Sequence, residues 1–289
     1  MRILAPTLAT ILLATLGCAG TEAAAPDVAT ALAAPGPSGD FAGLDAVLAH
    51  PRRAEDRARD VARHPEETLR FFDVQPHHTV AEYAPGGGWY TRVLAPYLAA
   101  EGQYVAVSFP GSDVPIPRIA KLLANWEAEF PALVEKTTGV AADRVRAYVG
   151  PRAPEEAHGT VDRILIPRML HNLMRWEIAG QELRALRRLL KDDGLVGVVQ
   201  HRAKAGAPYA YADGGKGYLR ESDVIALMRL NGFRLVARSE INANPADPAD
   251  HEVGVWALPP SFRNGDVDKE RYAAIGESDR ATLLFAKAE

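Results

Sequence analysis

From Val74 onward the chain alternates short β-type runs with helical runs, and this alternation restricts the fold more than any other property of the sequence. Residues 79–83, 104–107, 145–149, 163–166 and 195–200 are rich in Val, Ile, Leu and Tyr, side chains that suit strands buried on both faces. Between them, residues 89–100, 119–134 and 181–190 repeat apolar positions at helical spacing. Strands joined by helices of this length return to one sheet by right-handed crossovers, so the pattern predicts a doubly wound parallel α/β sheet. A helix over 222–231, with Ser222 as cap and Gly232 as stop, leads to a strand over 233–241, and a closing strand is expected over 281–286. Residues 242–279 separate these last two strands by a polar excursion carrying Pro245, Pro248, Pro259 and Pro260. A connection of that length in a compact domain is more often functional than idle.

Composition removes several classes of function. The 289 residues include 33 Lys+Arg against 37 Asp+Glu and 47% hydrophobic residues, enough to bury a core without any broad attraction to polyanions. Nucleic acid as the main partner is therefore not expected. The one cysteine, Cys18, excludes an intrachain disulfide and a thiolate zinc centre. Met1-Arg2 followed by the apolar run 3–17 has the layout of an export signal, being shorter than the roughly 20 apolar residues needed to cross a bilayer. Small residues on both sides of Cys18 resemble a bacterial lipoprotein processing site, although Thr15 stands where such sites usually carry Leu. The alternative is an ordinary signal in which Cys18 is incidental. The expected organisation is a signal peptide at 1–17, an Ala/Pro/Gly-rich tether at 18–40 and one α/β domain at 41–289, in the periplasm or anchored to a membrane through Cys18. Residues 54–63, laced with Arg and Asp, read as a solvated helix face, and Pro65 opens the helix after it.

The most informative segment is Thr79-Val-Ala-Glu-Tyr-Ala-Pro-Gly-Gly-Gly-Trp-Tyr-Thr91, a buried strand running into three glycines and a helix. Glycine is needed where backbone takes positive φ or approaches a ligand, and the helix start beyond it presents free N–H groups. The dinucleotide fingerprint G-x-G-x-x-G would require glycine at 84, 86 and 89, where Ala84, Gly86 and Trp89 stand. A nicotinamide or flavin cofactor is thereby disfavoured.

The pattern acid-x-(G/A)-x-G-x-G, met by Glu82, Ala84, Gly86 and Gly88, resembles the first motif of class I S-adenosyl-L-methionine (SAM) dependent methyltransferases. Together with EYAPGGGWYTRVLAPYL, MLHNLMR, GLVGVVQHR, SEINANPADPADHEVGVWALPP and YAAIGESDR, in that order, the chain from about Ala54 resembles a group of exported bacterial proteins described as predicted methyltransferases. The resemblance implies a Rossmann-like sheet, mostly parallel with an antiparallel C-terminal strand and preceded by N-terminal helices. It also implies SAM as cofactor and methyl transfer to a small or medium-sized acceptor. Glu82 would hold the amino group of the cofactor's methionine part, and Ala84, Pro85, Gly86, Gly87 and Gly88 would pass beneath it. Ser108 stands where the superfamily usually places a ribose-binding acid, and residues 148–151 lack an acid for the adenine amino group.

After the fourth strand, His171 and Asn172 fall where the superfamily faces the methyl group, and His201 ends the fifth strand. A histidine titrating near neutrality suits a general base, whereas a structural histidine would cap a helix or bond a carbonyl. Trp89 and Tyr90 either face the sulfonium by cation-π attraction or pack in the core. Tyr218, following the glycine-rich 213–217, and Asn242, Asn244 and His251 of the excursion are candidate acceptor contacts. The His/Asp/Glu cluster there matches no zinc spacing, so no metal is assigned. A second reading, favoured by Ser108 and the export signal, is a noncatalytic envelope lipoprotein that uses the same fold to bind a ligand or partner.

Overall fold

The structure is a computed structural model that describes Gly39 and residues 41–289. The expected signal, Cys18 and the tether up to position 38 lie outside the described residues. In chain order the helices are α1 (Leu44–Ala49), α2 (Ala54–Arg57), α3 (Asp60–Arg63), α4 (Pro65–Phe71), α5 (Thr91–Leu98), α6 (Pro117–Leu122), α7 (Trp126–Thr138), α8 (Leu170–Arg175), α9 (Ala179–Leu189), α10 (Tyr209–Ala212), α11 (Glu221–Leu230) and α12 (Lys269–Ile275). The strands are β1 (Thr79–Tyr83), β2 (Gln103–Ser108), β3 (Val145–Val149), β4 (Val161–Pro167), β5 (Leu190–Ala203), β6 (Leu219–Arg220), β7 (Phe233–Ser239) and β8 (Arg280–Lys287).

The strand order is β3-β2-β1-β4-β5-β8-β7, with β6 paired to the end of β5. Strands β1 to β5 run parallel, and β8 lies antiparallel between β5 and β7. This is the mostly parallel α/β sheet with an antiparallel C-terminal strand that the sequence predicts. Successive strand residues point to opposite faces. Ala81 and Tyr83 pack with Leu183, Leu186 and Leu189 of α9 and Met228 of α11. Val80, one residue out of phase, packs with Leu69 of α4, Val93 and Leu94 of α5, and Phe130 of α7. Each fully buried leucine or phenylalanine contributes about 1.5–3 kcal/mol, so both helical layers are needed to cover the sheet.

One glycine decides how closely the N-terminal helices approach the sheet. A Cβ on Gly197, in the middle of β5, would lie 2.5 Å from the ring of Phe72. Only hydrogen at that position lets Phe72, which is 1% exposed, lie flat on the strand.

Several local expectations are corrected. Residues 119–134 form two helices rather than one, because the chain breaks between α6 and α7 at 123–125. Ser222 does not cap α11: the residue before the helix is Arg220, whose guanidinium pairs with Asp223 at 2.7 Å. The charged stretch 54–63 is not a solvated face throughout, since Arg63 is 4% exposed and neighbouring Arg53 is wholly buried, pairing with Asp60 at 2.8 Å. Arg63 pairs likewise with Glu277 at 3.1 Å, so part of the charge pattern that looks like surface lacing forms ion pairs with a buried arginine. Among the described residues no helix is long and apolar enough to cross a membrane.

Candidate functional site

The order of strands reverses between β1 and β4, and such a reversal opens a crevice beyond their carboxyl ends. Two residues frame it. Ala84 follows β1 with φ 51° and Arg168 follows β4 with φ 56°, both in the left-handed region that disfavours side chains. Their amides donate to the neighbouring strands, Ala84 to Val107 at 2.7 Å and Arg168 to Val199 at 2.6 Å.

The glycine turn leaves β1 at Ala84. Gly86 and Gly88 hold φ of 56° and 74°, and the Gly88 amide donates to the Pro85 carbonyl at 2.9 Å. A Cβ built on Gly87 would meet no atom within 4 Å, so the space over the turn is open. Glu82, 1% exposed, lies on the same wall. The hydroxyls of Thr91 and Tyr104 both donate to its Oε2 at 2.7 Å, and Oε1 takes neither bond. Burial raises the Glu82 pKa to about 7 against the lowering effect of those hydroxyls and of Arg168 and Arg92.

Three adjoining chambers open along the crevice. The first, about 570 Å³, runs from Ala84 and Gly86 past Ser108 to an apolar slot between Phe109, Trp126 and Phe130. The second, about 250 Å³, lies between Glu82, Gly86–Gly87, Tyr90 and Arg168. The third, about 280 Å³, is walled by His171, His201 and Arg168 on one side and by Trp256, Pro259 and Ser261 of the excursion on the other. Asn172 lines the first and third chambers, and its Oδ1 is buried with no hydrogen-bond partner among the described residues.

His171 is 4% exposed, with Nδ1 3.3 Å from Gln200 Nε2 and its ring 5.5 Å from that of His201. Burial and then the Arg175 charge hold its pKa at about 3, so it does not titrate near neutrality as a free histidine does. His201 Nδ1 lies 2.6 Å from the Ser278 hydroxyl. Burial, His171 and the arginines around the third chamber hold His201 well below its ordinary value, so both rings are neutral at pH 7.

The crevice thus gathers Glu82, Ala84, Pro85, Gly86, Gly87, Ser108, Trp89, Tyr90, His171, Asn172 and His201. Trp89 is 6% exposed, with Arg63 and Arg53 stacked 4.7 and 5.5 Å from its ring, so its cation-π partners are the protein's own guanidiniums. Tyr90 is 3% exposed and packs edge-on against Trp89. The remaining candidates lie outside the three chambers. Asn242 donates to Thr68 and Thr282 at 3.0 Å, and Asn244 donates to the carbonyls of Ile275 and Glu277 at 2.8 and 2.7 Å. His251 and Tyr218 bond to opposite oxygens of Asp247, at 3.0 and 2.9 Å. Asp247 is wholly buried and also accepts from the amides of Ala249 and Asp279, which pins the excursion against the start of β8. Within the glycine-rich 213–217, Gly214 is tightly packed: a Cβ there would lie 2.5 Å from the His171 carbonyl. Sequence reasoning missed Trp126 and Phe130, read only as helical periodicity, and the arginines 59, 63 and 168, which no local motif marks. Among the described residues no group of three or more His, Cys, Asp or Glu is placed to hold a metal ion.

No family model matches the chain, and no curated protein matches it in sequence. Solved structures do match in fold. A geranyl diphosphate methyltransferase in complex with SAM superposes with TM-score 0.50 at 15% identity, over 86% of this chain and 96% of that one. A putative sarcosine dimethylglycine methyltransferase from Galdieria sulphuraria gives 0.49 at 13% identity over 81% and 86% of the two chains. A SAM-dependent methyltransferase from Aquifex aeolicus gives 0.46 at 19% identity over 70% and 93%. With the strand order and the glycine turn at its reversal point, the chain has the fold of the class I SAM-dependent methyltransferases.

Proposed function

We propose that this protein is a SAM-dependent methyltransferase acting on a small or medium-sized acceptor. The observation that carries the reading is the open glycine turn beside buried Glu82, joined at the strand reversal to an apolar slot on one side and a polar chamber on the other. The residues suit the cofactor. Glu82 Oε1 is available to an ammonium group, the Gly86–Gly87 backbone lies open to a ligand, and Ser108 can bond one ribose hydroxyl. Phe109, Trp126 and Phe130 offer an apolar slot for a flat base.

Bound SAM supplies an electrophilic methyl group on a sulfonium. The chain's own part is to align the acceptor, exclude water and receive a proton where the acceptor carries one. Asn172 lines both the first and third chambers, and its unpartnered Oδ1 would accept a hydrogen bond from a donor group brought to their junction. His201 is neutral, and in the tautomer that donates Nδ1–H to the Ser278 oxygen its Nε2 would be the proton acceptor. The His171 ring lies 5.5 Å from that of His201 in the same chamber wall.

Calorimetry on the full chain with S-adenosylhomocysteine tests the reading, with binding in the micromolar range expected. Absence of binding at high micromolar concentration overturns it, and unchanged affinity in Gly86→Val removes the turn from the site. Export and lipidation at Cys18 belong to the same proposal. Cys18→Ser is expected to release the protein from the membrane fraction, and retention there refutes the anchor.

A further inference from the structure

The third chamber holds more positive charge than the protein itself neutralises. Glu277 takes Arg59 Nε at 2.6 Å, Arg63 Nε at 3.1 Å and Arg280 Nη1 at 3.0 Å, so one carboxylate serves three guanidiniums. Arg168 joins Arg59 and Arg63 in the chamber lining, of which Arg280 is not part. The Nη1 atoms of Arg168 and of Arg63, which is 4% exposed, are both buried without a partner. Glu277 is the sole carboxylate lining this chamber among the described residues. Arg59, Arg63 and Arg168 also form part of the second chamber's wall, where Arg92 is balanced separately by Asp56 at 2.5 and 2.7 Å.

Buried cations without counter-charges are costly, and proteins retain them where a ligand completes the pairing. Burial and mutual repulsion lower Arg63 and Arg168 to about 10, the direction expected for cations short of a counterion. Arg168 also holds its left-handed backbone at this point, a strained arrangement that a functional demand explains. The wall opposite carries Trp256, flanked by Arg263 at 4.3 Å and Arg175 at 5.3 Å, so the mouth is basic too. Hydroxyls of Ser261 and Ser278 complete the lining. The carboxylate of the cofactor's methionine part would offset a single charge, leaving the cluster still positive.

We propose that the third chamber binds an oxyanion, a carboxylate or phosphate monoester, carried by the methyl acceptor and held by Arg168, Arg63 and Arg59. Placement of that anion on the acceptor rests on the methyltransferase reading; the anion site itself does not. Guanidiniums match such groups with paired hydrogen bonds, and the basic mouth draws anionic molecules from solution. The anchor holds a part of the acceptor remote from the reacting atom, because pairing the nucleophile itself with arginine would blunt it.

The full chain is titrated with inorganic phosphate and with succinate at constant ionic strength, with and without saturating S-adenosylhomocysteine. At least one anion is expected to bind in both conditions. Arg168→Gln is expected to weaken it by about tenfold or more, and by a similar factor when S-adenosylhomocysteine is saturating. Arg59→Gln, whose side chain is 31% exposed, gives the same readout should Arg168→Gln fail to fold. No binding of either anion overturns the proposal. Anion binding abolished by S-adenosylhomocysteine, with Arg168→Gln weakening that ligand tenfold or more, also overturns it by assigning the arginines to the cofactor's carboxylate. Anion binding without any S-adenosylhomocysteine binding leaves an anion site and removes its link to methyl transfer.

Discussion

Ala84 and Arg168 hold matching positions on the two central strands: each follows its strand in left-handed backbone, and each donates its amide to the strand beside it, at 2.7 and 2.6 Å. The pair turns both chain segments away from the sheet at the strand reversal, which is what opens the crevice. Left-handed backbone costs a residue with a side chain roughly 1–2 kcal/mol, and the two amide bonds offset part of that.

Glu82 predicts a pH dependence of cofactor binding. An ammonium group requires the carboxylate form, and the pKa of the free protein is raised to about 7 by burial. Affinity should therefore be constant well above pH 7 and fall by up to about tenfold per unit below it. Stability of the ligand-free protein runs the other way. A carboxyl raised from 4.5 to about 7 on folding stabilises fully below 4.5, and that contribution is lost as pH rises through 7. Glu182, also raised to about 7 by burial, acts in the same direction. Glu82→Gln should abolish cofactor binding and yet raise the melting temperature at pH 8. A variant that loses both binding and stability there would contradict this account.

His201→Gln should lower kcat by about 10²–10⁴ when the acceptor carries a proton, with little change in cofactor affinity. Because both histidines are held below their ordinary value, no loss of activity from their protonation is expected on going from pH 7 to 6. Any fall over that interval should disappear when cofactor is saturating, since it belongs to Glu82. Steady-state rates measured at high and low SAM separate the two.

Gly197→Ala should destabilise by about 1–3 kcal/mol, because the added methyl would sit 2.5 Å from the Phe72 ring. Phe72→Leu in the same chain should recover part of that loss. Denaturant midpoints of the two single variants and the double variant measure the coupling, and simple additivity would show that the clash is relieved elsewhere.

Asp247→Ala should cost about 3–5 kcal/mol, as it strands the partners of a wholly buried carboxylate. Burial alone would raise its pKa, yet the hydrogen bonds from His251, the two amides and Tyr218 outweigh it and hold the group below the usual range. Anion affinity at the third chamber should fall with the fold, since the same excursion supplies Trp256 and Ser261. A melting temperature within a few degrees of the parent would show that the excursion is held by other contacts.

Sheet, strand positions and glycine turn were legible because each is written in contiguous residues: alternating Val, Ile and Tyr mark the strands, and Glu82 to Gly88 form one short motif. The basic chamber was not, because Arg59, Arg63, Arg168 and Glu277 come from either end of α3, the residue after β4 and the approach to β8, far apart in sequence. Asn242, Asn244, His251 and Tyr218 looked like ligand contacts because polar side chains in a loop carry no sign of which way they turn. Three of them, Asn242, His251 and Tyr218, are buried, and all four bond to the protein's own atoms.

The insertion of β8 between β5 and β7 has a consequence for biosynthesis. Residues 280–287 fill an interior slot of the sheet, so strands made earlier cannot close around their final neighbours until this segment has left the ribosome. Glu277 and Arg280 arrive with it, and the nascent chain therefore carries Arg59 and Arg63 without the carboxylate that gathers them. Shortened translation products ending before Glu277 should carry the glycine turn but lack Glu277 and Ser278 from the wall of the third chamber.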